Sequence, residues 1–386
     1  MRTFPLLCLL LCCPAPARAQ ETGSSFGTKT AGTQSMNPDL GVVVDFAARL
    51  TSGAAENEPD ANRFQLRSAE LVATQYVDSF ARLDLVACAE EDALNVEEAY
   101  ATIFKLPLNT KLRAGRFFMP YGILNTYHTH DLPQVDRPLM LERFMGGEYS
   151  DTGVEAAWLL PNPWDLYSEL TVAAANGDRL GSEDAVNTTP PSAGLWENTG
   201  KGDWGKRAYI ARWATFFTPS DEASLLVGGN FARGNNAGNG THTSFGGVDA
   251  KFRYVWPDMR KFTLQAEQMW WRETLHYDDG AGGVSDTKIK PQGGYAYAEY
   301  EFLPKRWAAG ARGDWAGQRL FDPAAASYRD MSYQGSAYLT YTPSEFQRWR
   351  FQYRHSDIKD GGIRRASNEL MVQATFIIGF HPPHKF

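Results

Sequence analysis

Cysteine is scarce in this sequence, and its long apolar runs are confined to the first residues. Three of the four cysteines, Cys8, Cys12 and Cys13, precede residue 14, so residues 20–386 contain only Cys88. A single cysteine excludes an internal disulfide and a paired-cysteine metal site. After residue 20 no apolar stretch approaches the roughly 20 residues that a transmembrane helix needs. These absences exclude a disulfide-rich scaffold and a helical membrane protein.

The first 19 residues predict export. Arg2 precedes an apolar run over residues 4–13, and Ala17-Arg18-Ala19 follows shortly afterwards. A positive start, a short apolar core and a small-x-small ending are typical of a signal peptide, which would be cleaved before Gln20. We therefore expect residues 1–19 to be a signal peptide. The small and polar residues 20–36 are expected to form a flexible periplasmic leader.

Positive charge is also in deficit. Removal of the signal peptide leaves 36 basic against 45 acidic residues, a net charge of −9. A surface that binds nucleic acid needs clustered positive charge. We therefore expect no nucleic-acid partner.

Aromatic residues and glycine are abundant instead, with 11 Trp, 17 Tyr, 22 Phe and 35 Gly. An exported chain of this composition without helical signals is typical of a transmembrane β-barrel. Secreted β-sandwiches and β-propellers share the composition, so the pattern along the chain must decide. A propeller would repeat about every 40 residues, and the sequence contains no such repeat.

The pattern along the chain is an alternation of apolar and polar residues. Val42, Val44 and Phe46 fall on one face of a segment whose other face holds Asp45 and Arg49. Such alternation over about ten residues predicts a β-strand. Sixteen segments can be assigned as strands in this way. The second, fourth and fifth are irregular, which either a β-bulge or a misplaced boundary would explain. Their centres lie near Val44, Leu71, Leu85, Ala101, Arg113, Ala156, Leu170, Arg212, Val227, Ala250, Ala266, Tyr297, Ala311, Ala337, Phe351 and Thr375.

The connections between these segments alternate in length. Every second connection is short, and most of the short ones contain proline, which ends a strand because it supplies no ladder donor. The other connections are mostly longer, as at residues 51–62, 118–148, 177–205, 234–242, 276–290 and 316–329. Short turns on one rim and long loops on the other predict an all-β fold, a transmembrane antiparallel up-and-down β-barrel of about 16 strands. The barrel would span residues 37–380, and residues 381–386 would form a C-terminal tail.

Residues 112–153 carry a more specific likeness. They contain Arg113-Ala114-Gly115-Arg116-Phe117-Phe118-Met119-Pro120-Tyr121-Gly122 and, after a long loop, Asp151-Thr152-Gly153. Together with the signal peptide, the alternation, the proline-marked turns and the terminal Phe386, this segment resembles the porin superfamily, most closely its phosphate-selective porin O/P-like group. The resemblance departs from the family pattern at the C-terminus, where the tail follows the last strand. It implies passive diffusion of small hydrophilic solutes across a bacterial outer membrane.

The resemblance also implies that the long loop after the fifth strand folds inward as a constriction. That loop is rich in apolar residues, which would be costly in a solvated loop. They would be buried either inside the pore mouth or against a neighbouring subunit, so a homotrimer is one expected assembly. The charged and imidazole side chains expected at the constriction are His128, His130, Asp131, Arg137, Glu142 and Arg143. His128, His130 and Asp131 could bind a divalent cation, but ordinary hydrogen bonds are favoured and no metal is predicted.

Charged residues on the polar faces of the predicted strands are candidates for the pore lining. They are Arg49, Arg82, Arg113, Arg212, Arg253, Arg312, Arg348, Arg350 and Arg354, with Asp45, Asp249, Glu299 and Asp314 of opposite sign. Facing rows of both signs would create a transverse field, or they would neutralise each other in a structural network of ion pairs. Arg348, Arg350 and Arg354 form the densest row of one sign, which predicts a mild preference for anions.

Signals of catalysis are missing. The G-x-S-x-G pattern occurs once, at residues 23–27 in the expected leader, without the strand–helix context of a nucleophile elbow. Gly234, Gly238 and Gly240 likewise lack the strand–helix context of a phosphate-binding loop. We expect no catalytic residues and no cofactor. The expected partners are outer-membrane lipid and small hydrophilic solutes or anions. A ligand-binding or adhesion barrel that acts through its long extracellular loops is the alternative to a diffusion channel.

Overall fold

The alternating segments form antiparallel strands that are longer than the predicted ones. The structure is a computed structural model, and it describes residues 37–58, 61–91, 93–177, 207–235, 242–278, 284–318, 330–360 and 362–380. The predicted signal peptide, the leader and the tail lie outside the described residues, as does most of the predicted loop 177–205. Within the described residues, no helix has the length and apolar composition required to cross a membrane.

The described residues contain 17 strands and one short α-helix. Each predicted strand centre lies inside one of these strands. The strands are β1 Asp39–Gly53, β2 Arg63–Tyr76, β3 Ala81–Ala89, β4 Leu94–Leu106, β5 Thr110–Phe118, β6 Ser150–Leu159, β7 Tyr167–Ala175, β8 Ala208–Phe217, β9 Ala223–Asn235, β10 His242–Val255, β11 Lys261–Asp278, β12 Val284–Ile289, β13 Gln292–Leu303, β14 Trp307–Gly317, β15 Met331–Ser344, β16 Gln347–Asp360 and β17 Ile363–Gly379, and the helix α1 is Leu139–Met145.

The sheet closes on itself. Each strand pairs antiparallel with its neighbours in sequence, and β1 pairs with β17 from Gly41 opposite Gly379 to Gly53 opposite Ser367. Strands β12 and β13 pair with successive parts of β11 and are separated only by Lys290 and Pro291. They form one barrel strand that is interrupted where proline cannot donate to the ladder. The predicted 16-strand barrel is therefore confirmed.

The extent of one loop was predicted wrongly. Residues 276–290 were expected to be a loop, but β11 continues to Asp278 and β12 occupies Val284–Ile289. Their backbones pair from Glu273 opposite Ile289 to Asp278 opposite Val284. The sequence of β12 is mostly polar and lacks the alternation that marks a strand facing lipid.

The two faces of the strands differ as the alternation predicts. On β1, Val43 and Asp45 are fully buried on the inner face, whereas Val42 and Phe46 are 38% and 45% exposed on the outer face. Exposed aromatic side chains collect at the ends of the strands. Tyr76, Phe80, Trp164, Tyr167, Phe302 and Phe346 lie near the short turns, and Phe64, Tyr209, Phe231 and Tyr333 lie toward the long loops. An apolar outer face between two aromatic bands is the surface that a lipid bilayer requires.

Two β-bulges bring extra charged residues to the inner face. The register between β1 and β2 shifts after Asp45 and leaves Arg67 unpaired in the ladder, with its Nε 3.6 Å from Asp45 Oδ2. The register between β3 and β4 shifts after Val86 and leaves Glu97 unpaired beside Glu98. A bulge adds one residue to a strand and redirects the side chains around it. The bulges explain how neighbouring charged residues on one strand can both point inward. They also account for the irregular alternation in the sequences of β2 and β4.

Candidate functional site

The connection between β5 and β6 lies inside the barrel. We call residues 119–149 the inner loop; it contains two 3-10 turns and α1, and most of its side chains are buried. Its polar contacts reach inward-facing residues of β2, β4, β9, β11, β14, β15 and β16. The loop therefore meets the barrel wall on several sides of the lumen.

Apolar packing holds the inner loop against one part of the wall. Phe245 on β10 stacks on Trp271 on β11 at 4.6 Å between ring centroids, and Tyr121 meets Phe245 edge-on at 4.8 Å. Phe144 of α1 packs on Trp271 at 5.9 Å. Each buried side chain of this size contributes about 2 kcal/mol of hydrophobic stabilisation. The inner loop also contributes Met119, Leu124, Leu132, Leu139, Met140, Leu141, Met145 and Tyr149 to this cluster.

Carboxylate and amide side chains of the wall accept hydrogen bonds from the loop backbone. Glu267 Oε1 accepts from the amides of Ile123 and Leu124 at 3.0 and 2.9 Å, and Asn230 Oδ1 accepts from Gly122 N at 3.0 Å. Glu267 also accepts from the Tyr295 hydroxyl at 2.5 Å. These bonds satisfy backbone donors that burial would otherwise leave unpaired.

Glycine makes room for the loop where it approaches the wall. A Cβ at Gly247 would lie 2.3 Å from the Tyr121 hydroxyl and 2.7 Å from the backbone oxygen of Gln268. Gly122 has φ of +60° and would place a Cβ 2.0 Å from Glu267 Oε2. Only glycine fits both positions without displacing the loop.

Asp136 is the loop's main ionic anchor. Its carboxylate lies 2.9 Å from Arg312 Nη2 on β14 and 2.6 Å from Arg354 Nη1 on β16, and it accepts from Gln352 at 2.5 Å. Burial alone would raise the pKa of Asp136, but the guanidinium groups of Arg312 and Arg354 outweigh it and hold the pKa well below its usual range. Two further carboxylates, Asp314 and Glu369, pair with the same arginines.

Arg348 and Arg350 contact the loop without a carboxylate partner. Arg348 donates to the carbonyl of His130, and Arg350 donates to the carbonyl of Gln134 at 3.1 Å. Among the described residues neither guanidinium has a carboxylate at ion-pair distance, and neither Nε has a hydrogen-bond partner. Arg350 is only 3% exposed, so two positive charges with incomplete compensation lie beneath the inner loop.

All of the predicted pore-lining residues have side chains on the inner face, and many form ion pairs. Arg49 pairs with Glu369, Arg82 with Asp84, Arg113 with Glu155, Arg212 with Asp249 and Arg312 with Asp314, while Arg67 approaches Asp45. Arg253 and Glu299 are half-buried on β10 and β13. The structure thus combines a network of ion pairs with the less compensated pair Arg348 and Arg350.

The histidines of the inner loop meet acidic residues of β2 and β4. His128 Nδ1 lies 2.7 Å from Glu97 Oε2, and His130 Nδ1 lies 2.8 Å from Glu70 Oε1. Burial alone would lower the pKa of His130, but the carboxylates of Asp131 and Glu70 outweigh it and raise the pKa to about 9. Glu97 and Glu98 likewise raise the pKa of His128 against the effect of burial.

The remaining predicted constriction residues lie at the end of the loop near α1. Arg137 donates to the carbonyls of Leu124 and Tyr127 and pairs with Glu148 at 2.5 Å, so it holds the loop in its fold. Arg143 donates to the carbonyl of Gly317 at 3.5 Å, and the Glu142 side chain is exposed.

Sequence patterns did not identify several residues that contact the inner loop. Glu70, Glu97 and Asn230 lie at inward positions of their strands, but nothing in their spacing indicates which of them faces the loop. The alternation does place Glu267 on the polar face of its strand, although not its contact with the loop. No pattern singles out Asp136 among the loop's charges. A search for acidic residues on the polar faces of β2 and β4 would have found Glu70 and Glu97.

Comparisons with known proteins agree with this architecture. No family model matches the sequence. An uncharacterized protein of Aquifex aeolicus (strain VF5) is 27% identical over 342 residues, which cover 84% of this chain and 70% of that protein. Among solved structures, the outer membrane channel DcaP of Acinetobacter baumannii superimposes with a TM-score of 0.62 at 15% identity, over 90% of this chain and 100% of DcaP.

The fold is shared with outer-membrane β-barrel proteins of known structure. OmpF of Salmonella typhi, solved in complex with daunomycin, gives a TM-score of 0.57 at 12% identity over 88% of this chain and 97% of OmpF. The trimer form of OmpT, an outer membrane protein of Vibrio cholerae, gives 0.53 at 11% identity over 89% of this chain and 100% of OmpT. At these sequence identities, the comparisons show that the fold is shared.

Proposed function

We propose that this protein is a porin-like channel of the bacterial outer membrane that allows passive diffusion of small hydrophilic solutes. The observation that carries the proposal is the position of the inner loop. It lies inside a 16-strand barrel, and polar and ionic contacts hold it against the inner wall. A barrel of this strand number encloses more space than its own side chains fill. The inner loop would narrow that space and set the size of solute that passes.

The charge of the lumen supports a mild preference for anions. Arg348 and Arg350 lack carboxylate partners among the described residues, whereas most other inner-face arginines are paired. Incompletely compensated guanidinium groups lower the local energy of anions, and this effect extends about 8 Å at physiological salt. Membership of the phosphate-selective O/P-like group is proposed on the same grounds and on the Arg113–Gly122 segment.

The assembly proposed is a homotrimer, without catalytic activity or a cofactor. OmpT of Vibrio cholerae has a trimer form, and DcaP is an outer membrane channel. The predicted signal peptide would direct the chain out of the cytoplasm. These proposals rest on the shared fold and on the sequence patterns.

The test is current across a planar lipid bilayer after addition of the refolded barrel. A channel produces discrete, reproducible conductance steps, and the heat-denatured protein serves as the control. A folded barrel that inserts without conductance steps would instead favour the ligand-binding or adhesion alternative.

A further inference from the structure

A group of metal-binding side chains lies where the inner loop meets β2, β3 and β4. Donor atoms of Glu70, Cys88 and Glu97 all lie within 4.8 Å of one another. Glu70 and Cys88 are directly opposite each other in the β2–β3 ladder, and the bulge in β4 turns Glu97 inward beside them. Glu70 and Cys88 are each only 1% exposed, so the group is buried at the wall.

The inner loop supplies an imidazole to the same place. His128 Nδ1 lies 2.7 Å from Glu97 Oε2 and 3.7 Å from Glu70 Oε2. Donors around one tetrahedral Zn²⁺ ion lie about 3.4 Å apart, as bond lengths of 2.0–2.3 Å require. Side-chain movements would bring the donor atoms of Glu70, Cys88 and Glu97 from within 4.8 Å to that spacing. His128 Nδ1 lies near both glutamates but falls outside the group that includes the Cys88 thiol, so it must move toward Cys88 to share the ion.

One of the candidate metal-binding oxygen atoms lacks a hydrogen bond among the described residues. Glu70 Oε2 is buried and has no hydrogen-bond partner among the described residues, although its other oxygen accepts from His130. Leaving a buried carboxylate oxygen unpaired is costly, because water no longer solvates it. A cation at this point would satisfy that oxygen.

Neighbouring residues orient two of the four donors. His130 Nδ1 lies 2.8 Å from Glu70 Oε1, which leaves Oε2 directed to the cluster. Glu98 Oε2 lies 3.4 Å from His128 Nε2, which leaves Nδ1 of His128 directed to the same cluster. Metal-binding histidines are commonly held in this way by a carboxylate at the second ring nitrogen.

We propose that Glu70, Cys88, Glu97 and His128 bind one divalent transition-metal ion, with Zn²⁺ as the ion that best fits a mixed thiolate, imidazole and carboxylate set. Thiolate and imidazole ligands select against Mg²⁺ and Ca²⁺, which take oxygen ligands. Binding releases the thiol proton of Cys88 and any proton carried by His128. The bound ion joins the inner loop to the β2–β4 wall. The inference depends on the placement of the loop and not on the channel being open.

Titration of the chelator-treated, refolded full-length barrel with Co²⁺ tests the site. A thiolate ligand gives Co²⁺ a charge-transfer absorption in the near ultraviolet, and Cys88 is the only cysteine outside the predicted signal peptide. We expect this band to saturate at one Co²⁺ per chain and to disappear when Zn²⁺ is added. Histidines elsewhere in the chain cannot produce it.

Variants separate the ligands from their surroundings. Cys88→Ser should abolish the band, and Glu98→Gln should weaken Co²⁺ binding about 10-fold to 100-fold through the orientation of His128. His355→Ala removes a histidine on β16 that contacts Asn368 on β17, away from β2, β3 and β4. This substitution should leave Co²⁺ binding unchanged. Heat-modifiable mobility in gels confirms that each variant is folded.

Two results would overturn the proposal. The wild-type barrel could bind no Co²⁺, or it could bind Co²⁺ without the thiolate band and equally well in Cys88→Ser. Either result would mean that the cluster is a hydrogen-bonded clasp between histidines and carboxylates. Conductance of the chelator-treated barrel is measured separately, so failure of the metal site would be distinguishable from failure of the channel proposal.

Discussion

At the scale of single residues, the inner face of the barrel is organised by charge pairs that bridge neighbouring strands and the inner loop. Arg212 shows the pattern: its two terminal nitrogens bind both carboxylate oxygens of Asp249 at 2.6 and 2.8 Å. Such bidentate pairs keep the charges satisfied in a partly desolvated lumen. The sequence placed both residues on the inner face, but their pairing depends on the ladder register.

Gly247 is a residue at which a single methyl group should matter. Gly247→Ala would bring a Cβ to 2.3 Å from the Tyr121 hydroxyl, which must move and loosen the inner loop. We expect a loss of about 1–3 kcal/mol in the free energy of unfolding, as for other overpacked sites. Thermal unfolding of the refolded barrel measures it. Gly246→Ala is the matched control, because its Cβ would lie 3.4 Å from the nearest atom. Equal stability of the two variants would show that Tyr121 does not pack there.

Arg348 and Arg350 test the proposed ion preference. Arg348→Gln with Arg350→Gln removes two inner-face charges that lack carboxylate partners among the described residues. We expect the reversal potential under a salt gradient to shift toward cation selectivity, because the anion-attracting charge is lost. Arg260→Gln, on an exposed turn where Arg260 pairs with Asp258, is the control and should leave the potential unchanged. A folded double variant with an unaltered reversal potential would place these arginines away from the ion path.

At the scale of elements, the inner loop is held by contacts between its two ends and by contacts from its middle to the barrel wall. Asn125 forms hydrogen bonds with both the amide and the carbonyl of Tyr149, at 2.8 and 3.1 Å, which tie the two ends of the loop together. Between these ends, Asp136 binds β14 and β16, and His128 and His130 bind β4 and β2. The loop is therefore an ordered element of the barrel interior.

Asp136→Asn should release the middle of the inner loop. The substitution removes the charge shared by Arg312 and Arg354 and should cost about 1–3 kcal/mol of loop anchoring. Larger current fluctuations at neutral pH are the expected result, measured in single-channel recordings. Asp258→Asn removes a carboxylate from an exposed turn and is the control. Recordings of Asp136→Asn that match the wild type would mean that Asp136 does not restrain the loop.

The wild-type anchor should resist mild acid. The pKa of Asp136 is lowered in the folded barrel, so its contribution is present above the ordinary aspartate pKa of about 3.9. That contribution is lost only as the pH falls through the still lower folded value. Single-channel recordings of the wild type should therefore show the same current fluctuations at pH 7 and pH 5, because Asp136 still holds the inner loop at both pH values.

The sequence predicted some elements well because the bilayer imposes a strict pattern on them. Val42, Val44 and Phe46 must face lipid, so β1 was visible from alternation alone. Strand β12 lacks that pattern, so its sequence predicts a loop. The anchoring of Asp136, and the meeting of Cys88 with Glu97, depend on the inner loop's conformation and on a bulge, neither of which is encoded in a local period.

At the scale of the whole molecule, the barrel and the inner loop form one arrangement in which the wall determines the outer dimension and the loop narrows the inside. The lipid-facing surface carries little information on function, since any outer-membrane barrel needs it. The lumen is where function must be sought, because the charges of the inner face converge on the inner loop. We infer that the loop limits passage through an otherwise wide barrel.

Single-channel conductance of a barrel that lacks residues 126–145 shows whether the inner loop limits the current. The deletion joins Asn125 to Gly146, and the hydrogen bonds between Asn125 and Tyr149 show that these ends already lie close together. The folded deletion variant should conduct with larger steps than the wild type, because the segment that occupies the lumen is gone. Equal step size in a folded, heat-resistant variant would mean that the inner loop lies outside the path of ions and does not limit passage.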